Sequence, residues 1–299
     1  MKLAAIDIGS NAARLLISEV TKLPKKDPVF NKINLVRVPL RLGFDVFETG
    51  EISKPKVKML MQTLKAYQHL LDAYQIKHVY ACATSAMRDA KNSKDIIRKV
   101  KLETGIEIHV ISGQEEASFI YENHVAENLD SDHSYLYIDV GGGSTELTFF
   151  ANGELVSKES FNIGTIRLLK NQIKEKTWDE VKDYVKKNIK SALPSIAIGS
   201  GGNITKILSM SKLKEGKPLS LDLLKDYYKE LSSVSLEDRM NLYGLKEDRA
   251  DVIVPALLIY IQVMKWANID EIYVPKIGLV DGLIHHLYDQ VGNIAVTYR

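Results

Sequence analysis

The chain has 299 residues, enough for two domains that each bury a core of their own. Hydrophobic residues make up 45% and charged residues 26%, a composition that excludes a disordered or fibrous chain. Lys and Arg number 40 against 38 Asp and Glu, a net charge of +2, which argues against a nucleic-acid coat or a polybasic membrane binder.

In chain order, the hydrophobic pattern predicts strands at 3–8, 12–19 and 32–39, with a Lys/Pro-rich turn at Leu23-Pro24-Lys25-Lys26. A helix follows from about Ser53, with Pro55 in its first turn and Val57, Leu60, Met61, Leu64 and Leu71 on one face. A strand at 77–83, a helix at 92–103 ending before Gly105, a strand at 106–111 and a helix from Ser112 close the first half. The second half predicts strands at 135–140, 145–150 and 154–161, the last two joined by Asn152-Gly153, a strong hairpin signal. Helices at 164–173 and 178–191, a strand at 195–199 and helices from 203, at 220–232 and at 248–267 come next. A strand at 271–275 and a helix at 279–290 end the pattern.

One internal repeat stands out. Ile6-Asp7-Ile8-Gly9-Ser10-Asn11 aligns without a gap on Ile138-Asp139-Val140-Gly141-Gly142-Gly143 at an offset of 132, and Leu15 then falls on Leu147. With three antiparallel strands followed by helix–strand alternation in each half, the expectation is two α/β domains, 1–128 and 129–299, joined near 126–134 around an interdomain cleft that holds the ligand. Cys82, the one cysteine, cannot form an internal disulfide and reads as a core residue. The N-terminal apolar run meets Asp7 too soon for a signal-peptide core. Val252–Met264 is short for a bilayer and carries Pro255 and Gln262, so a cytoplasmic protein without a membrane partner is expected.

The chemistry concentrates in glycine-rich turns. Gly141-Gly142-Gly143-Ser144-Thr145 after Asp139 can present amide N–H groups and two hydroxyls to an anion. An aspartate beside phosphate implies an intervening hard cation, Mg²⁺. The bland alternative is a hairpin turn; the pairing with Asp7, Gly9, Ser10 and Asn11 favours the anion. Gly199-Ser200-Gly201-Gly202-Asn203 is a second strand-to-helix glycine turn, without the spacing of a Walker or dinucleotide fingerprint.

Ser112 and Glu115 fit a capping box, which leaves Glu116 as either a helix-dipole residue or a general base. Thr84, Ser85 and Arg88 suit either phosphate contacts or a helix cap with a solvated arginine. Arg14 is either a phosphate ligand or a polar strand residue. Lysines 182, 186, 187 and 190 read first as a solvated helix face, and as a polyanion track only second. His285-His286 lacks companions for a metal site.

Four blocks, Asp7–Asn11 with Arg14 and Leu15, Ala83–Asp89, Ile111–Ala117 and Asp139–Leu147, resemble in order the exopolyphosphatase and guanosine pentaphosphate phosphohydrolase family of the actin, sugar kinase and heat-shock chaperone superfamily. The resemblance spans essentially the whole chain. It implies two ribonuclease-H-like domains, Mg²⁺-dependent hydrolysis of terminal phosphoanhydride bonds, Glu116 as catalytic base and Asp7 and Asp139 as metal-linked carboxylates. Phosphate contacts are expected from Ser10, Asn11, Arg14, Thr84, Ser85, Arg88, Gly141, Gly142, Gly143, Ser144, Thr145, Gly201 and Gly202. Asn203 stands where the family commonly has Thr, and the chain stops before the C-terminal helical domains of longer members. Inorganic polyphosphate or a guanosine polyphosphate is the expected substrate; a homodimer is compatible with the sequence and nucleic acid is not expected as a partner. The rival functions are an ATP-dependent small-molecule kinase of the same superfamily and a non-catalytic polyphosphate or nucleotide sensor.

Overall fold

A computed structural model describes residues 1–22, 26–121, 132–214, 216–275 and 277–297. The expected Leu23–Lys26 turn, the join at 126–134 and the 128/129 boundary fall wholly or partly outside these residues. The chain divides into two compact units, Met1–Asn123 with Gly278–Arg299, and His124–Ile277. Each is a mixed sheet flanked by helices, the expected α/β class.

In the first unit, β1 (Lys2–Ile8) pairs antiparallel with β2 (Ala13–Thr21), which pairs antiparallel with β3 (Val29–Val38). After α1 (Leu42–Thr49) and α2 (Lys54–Ala73), β4 (His78–Ala83) lies parallel to β1. The helices α3 (Ser85–Asp89) and α4 (Ser93–Thr104) then precede β5 (Ile108–Val110), parallel to β4, and α5 (Gly113–Tyr121). The order β3-β2-β1-β4-β5 puts β1 at the centre. Six of its seven residues are buried, as expected of a strand covered on both faces. Of two short helices, α1 was not expected, and α3 was raised only through the helix-cap alternative at Thr84 and Ser85. Helix α1 is bounded by left-handed residues, Arg41 (φ 53°) and Gly50 (φ 81°), too short a run to show a helical period.

In the second unit, β6 (Ser134–Val140), β7 (Thr145–Ala151) and β8 (Glu154–Phe161) repeat the antiparallel meander. Helices α6 (Thr165–Leu169) and α7 (Glu175–Asn188) lead to β9 (Ser195–Ser200), parallel to β6. Then come α8 (Gly202–Ser211), β10 (Leu219–Ser220), α9 (Leu221–Ser233), α10 (Leu236–Tyr243), α11 (Glu247–Ala250), α12 (Ile253–Ala267) and β11 (Glu271–Tyr273), parallel to β9. The order β10-β11-β9-β6-β7-β8 matches the first sheet with one added edge strand. The repeat read from sequence is therefore a repeat of topology. Counted together, α11 and α12 give a 21-residue run, Glu247–Ala267, long and apolar enough to cross a membrane. That exceeds the expected Val252–Met264 segment. In the structure 56% of its most apolar window is buried, and Leu257, Ile259, Tyr260, Val263 and Met264 belong to the core of the second unit.

The last helix, α13 (Leu279–Thr297), differs from the expected 129–299 domain. Leu279, Val280, Leu283, Ile284 and Leu287 pack with Leu3, Ala5, Leu16 and Phe119 in the first unit. At Gly282 a Cβ would lie 1.7 Å from the Phe119 carbonyl oxygen, so α13 crosses α5 at a distance only glycine permits.

Candidate functional site

Both copies of the repeat close the same turn. Gly9 donates its N–H to the Ala12 carbonyl at 3.0 Å and Gly141 to the Ser144 carbonyl at 2.9 Å. In each, the two central carbonyls are taken by a later segment. Ser10 and Asn11 carbonyls accept from Gly43 and Arg41 N–H at 2.8 Å each. Gly142 accepts from Ile166 N–H at 2.8 Å and Gly143 from Arg167 Nε at 2.7 Å. Carbonyls held inward leave the amides facing the other way. Among the described residues, the N–H groups of Gly142, Gly143 and Ser144 donate to no protein acceptor. That is the chemistry of an anion cradle. Thr145 differs from expectation, since its hydroxyl donates to the Ile163 carbonyl at 2.6 Å and braces the turn.

Gly164 makes this approach possible, because a Cβ there would sit 2.5 Å from the Gly142 carbonyl carbon and oxygen and the Gly143 nitrogen. Gly164 and Arg167 were not singled out in the sequence; a glycine before a short helix was the only available signal.

The two repeat aspartates meet opposite partners. Asp7 lies opposite Arg14, whose Nη1 donates to Asp7 Oδ2 at 2.6 Å. Burial pushes the Asp7 carboxyl up, and the Arg14 guanidinium opposes that. Asp7 Oδ1 is buried and accepts no hydrogen bond among the described residues. Asp139 lies opposite Glu146, the repeat equivalent of Arg14, and the two offer carboxylate oxygens within 4.8 Å of each other. Two carboxylates so close are unfavourable unless a proton or cation sits with them. Glu146 is buried and accepts from the Ser160 hydroxyl at 2.8 Å. Sequence showed it only as the residue after Thr145.

Beside the first turn, Ser10 Oγ and Ser85 Oγ lie 2.8 Å apart, and Ser10 Oγ accepts from Ala86 N–H at 3.1 Å. Ser10, Thr84 and Ser85 are all buried, and the Ser10–Ser85 hydroxyl contact joins the turn to the start of α3. Arg88 Nη1 donates to the Ile111 carbonyl at 2.9 Å, which ties its guanidinium to the entry of α5. There the capping box forms: Glu115 N–H donates to Ser112 Oγ at 3.2 Å, and Ser112 N–H to Glu115 Oε2 at 2.7 Å. The bond from Ser112 holds the Glu115 carboxyl below its usual range. Glu116, next along, is buried in the first turn of α5. Burial pushes the Cys82 thiol well up, with Asp7 and Glu116 adding to it, so Cys82 is an inert core residue as read.

In the second glycine turn, Gly201 has φ 102° and caps α8. Tyr260 donates its hydroxyl to the Ser200 carbonyl from the core. Asn203 Oδ1 accepts from Arg249 Nη1 at 3.0 Å, so the unusual Asn holds an arginine at the start of α8. Arg249 was not anticipated; it lies 46 residues from Asn203 with no local pattern joining them. Lysines 182, 186 and 187 flank a helix whose buried face is Val181 and Val185, the solvated arrangement expected first.

A sequence model of the Ppx/GppA phosphatase family matches residues 24–291. The bifunctional 3-dehydroquinate synthase/phosphatase of Fusobacterium nucleatum is 32% identical, over 91% of this chain and 44% of that protein. The guanosine-5'-triphosphate,3'-diphosphate pyrophosphatase of Vibrio parahaemolyticus is 26% identical, over 96% of this chain and 59% of that protein. The chain thus spans about half the length of these two relatives. The crystal structure of an exopolyphosphatase from Cytophaga hutchinsonii matches with a TM-score of 0.83 and 26% identity, covering 97% of this chain and 98% of that one. On the family match and the Fusobacterium relative together, the chain belongs to the Ppx/GppA phosphatase family.

Proposed function

We propose that this phosphatase-family chain is a Mg²⁺-dependent cytoplasmic hydrolase that releases the terminal phosphate of inorganic polyphosphate or of a guanosine polyphosphate. The names of the Vibrio and Cytophaga relatives support both substrate classes. The observation that carries the mechanism is the division of labour in the Glu115–Glu116 pair: Glu115 is committed to the cap, while Glu116 is buried in the same turn. In this reading Glu116 orients a water for in-line attack on the terminal phosphorus and takes its proton, while the bond from that phosphorus to the bridging oxygen breaks and the shortened chain leaves with that oxygen. The amides of Gly142, Gly143 and Ser144, the Ser10, Ser85 and Thr84 hydroxyls, the Asn11 amide, and Arg14 and Arg88 hold the phosphoryl oxygens. Gly201 and Gly202 give close backbone approach at the second turn. A loose transition state leaves positioning and charge stabilisation to supply the rate.

The donor set fits a hard divalent ion. Asp139 and Glu146 bring carboxylate oxygens within 4.8 Å, and Asp7 keeps Oδ1 outside its pair with Arg14. Asp139 and Glu146 would hold Mg²⁺, which when bound neutralises charge developing on phosphoryl oxygens, and Asp7 is the further metal-linked carboxylate that the resemblance implies. Glu146 thereby joins Asp139 and Asp7 in the proposed set.

The test is phosphate release by Glu116→Gln and Glu115→Gln side by side, with thermal melts. Glu116→Gln is expected to lower kcat by about 10²–10⁴-fold with substrate binding kept. Glu115→Gln keeps the capping box and is expected to be nearly silent. Equal, near-native turnover in both variants would remove Glu116 from the mechanism.

A further inference from the structure

A groove of about 450 Å³ runs between α2 and α4 of the first unit, within the range of roughly 300–1,000 Å³ typical of small-molecule sites. The residues that line it belong to none of the phosphate or metal contacts above. One end is closed where Ile52 N–H donates to Asn92 Oδ1 at 3.1 Å and Asn92 Nδ2 donates to the Ile52 carbonyl at 2.8 Å. That exchange occupies both polar ends of the Asn92 amide. Ile52 and Met61 are buried and, with half-buried Val57, give the groove an apolar floor.

The rim is basic. Lys54, Lys58, Met61 and Lys65 recur four, three and four residues apart, which puts them on one face of α2, and Lys99 joins them from α4. One lining carboxylate, Glu103, answers this set. It lies 2.6 Å from Lys65 Nζ and 3.8 Å from Lys99 Nζ, and the bond from Lys65 holds its carboxyl below the usual range. Lys54 and Lys58 pair with no carboxylate among the described residues. Their placement also disfavours the helix that carries them. Helix α2 has no acidic residue in its first turn, and cations at that end oppose the helix dipole. Residues that work against their own helix while lining a cavity are expected at functional sites.

We propose that this groove binds a nucleoside triphosphate, with the phosphoryl chain on Lys54, Lys58 and Lys99 and the base against Ile52, Val57 and Met61. Four lining ammonium groups against one carboxylate leave a surplus of three positive charges, which suits a polyanion better than a single carboxylate. Lysine serves such a ligand as a point charge. The apolar floor gives a planar body surface to bury, which a bare phosphate chain cannot use. The site is separate from the hydrolytic one and does not depend on that reading.

The experiment is methionine-methyl NMR on the full chain in chelator, titrated with the non-hydrolysable ATP analogue adenylyl imidodiphosphate and, separately, with tripolyphosphate. The Met61 methyl reports the groove locally, and Met61→Leu assigns its signal. A saturable shift of that signal is expected with the nucleotide, at an affinity about tenfold or more above that for tripolyphosphate. Lys54→Gln combined with Lys58→Gln is expected to weaken nucleotide binding about tenfold to a hundredfold, the scale on which charge-assisted hydrogen bonds are lost. The same variant should not lower the melting temperature of the free protein, because it removes cations from the wrong end of a helix. Lys94→Gln combined with Lys101→Gln, on α4 but outside the groove, should leave binding within about threefold of the wild type, since exposed charges act weakly at a distance. No shift at Met61, equal affinity for the two ligands, or equal weakening by the two lysine pairs overturns the inference. If the Lys54/Lys58 double variant fails to fold, the two single variants replace it, with the same ordering of ligands and smaller shifts expected.

Discussion

Asp7 and Asp139 occupy equivalent places in the repeat, yet one faces Arg14 and the other Glu146. In the first case the protein supplies the countercharge at 2.6 Å; in the second two carboxylates meet within 4.8 Å, an arrangement that a bound cation would stabilise. Metal dependence should follow that difference. In a Mg²⁺ titration of phosphate release, Asp139→Asn and Glu146→Gln are expected to raise the half-saturating Mg²⁺ concentration by about tenfold or more, the scale on which losing one carboxylate donor is felt. Asp7→Asn should shift it less and cost mainly kcat, because the change also releases Arg14. Chelation should abolish activity and added Mg²⁺ restore it. Full turnover in chelator, or identical titrations for all three variants, would refute the assignment. The capping box was fully legible at this scale, since Ser112 and Glu115 are three residues apart and the motif is local. Glu146 was not, because its significance comes from the residue across the strand.

At the scale of elements, the anion cradle depends on α6 docking against a loop more than twenty residues earlier in the chain. Thr165 and Ile166 N–H groups bind the Gly141 and Gly142 carbonyls at 3.1 and 2.8 Å, and Gly164 gives the space for it. Gly164→Ala places a methyl group 2.5 Å from backbone atoms of Gly142 and Gly143, which cannot yield as a side chain would. The expected cost is about 1–3 kcal/mol of stability, with loss of phosphate release beyond what the melt explains, because the amides are re-aimed. A native melting temperature together with native turnover would show that the loop is not set by this contact. Strands 135–140 and 145–150 and the Asn152-Gly153 turn were predicted within a residue or two of β6, β7 and the β7–β8 hairpin. The predicted helices at 164–173 and 248–267 proved shorter or broken: α6 ends at Leu169, and α11 and α12 part at Asp251.

At the scale of the whole molecule, the C-terminal helix belongs to the first unit and not to the domain that precedes it in sequence. Leu283 is fully buried there. Leu283→Ala is expected to cost about 2–5 kcal/mol, and the loss should fall on the first unit. Both tryptophans, Trp178 and Trp266, lie in the second unit with ring centroids 5.9 Å apart, so their fluorescence reports that unit alone. In a urea titration the variant should lose part of its far-ultraviolet ellipticity at lower denaturant, ahead of the tryptophan transition. Coincident transitions, both shifted equally, would place α13 in the stability of the second unit instead.

What the amino-acid sequence determined by itself was whatever short-range patterning and repetition encode. The alternating and continuous apolar runs give the two meanders, and the 132-residue offset places Asp7 and Asp139 at equivalent strand ends. The four motif blocks identify the family. These signals are local, arising from backbone geometry and burial within one element. Tertiary structure alone decided which residue each strand residue faces, and hence that Arg14 answers Asp7 while Glu146 confronts Asp139. It also decided that Arg249 holds Asn203 and that α13 returns to the first sheet. Each of those is a contact between residues distant in the chain, fixed by sheet register and by packing in the core, and no local pattern carries that information.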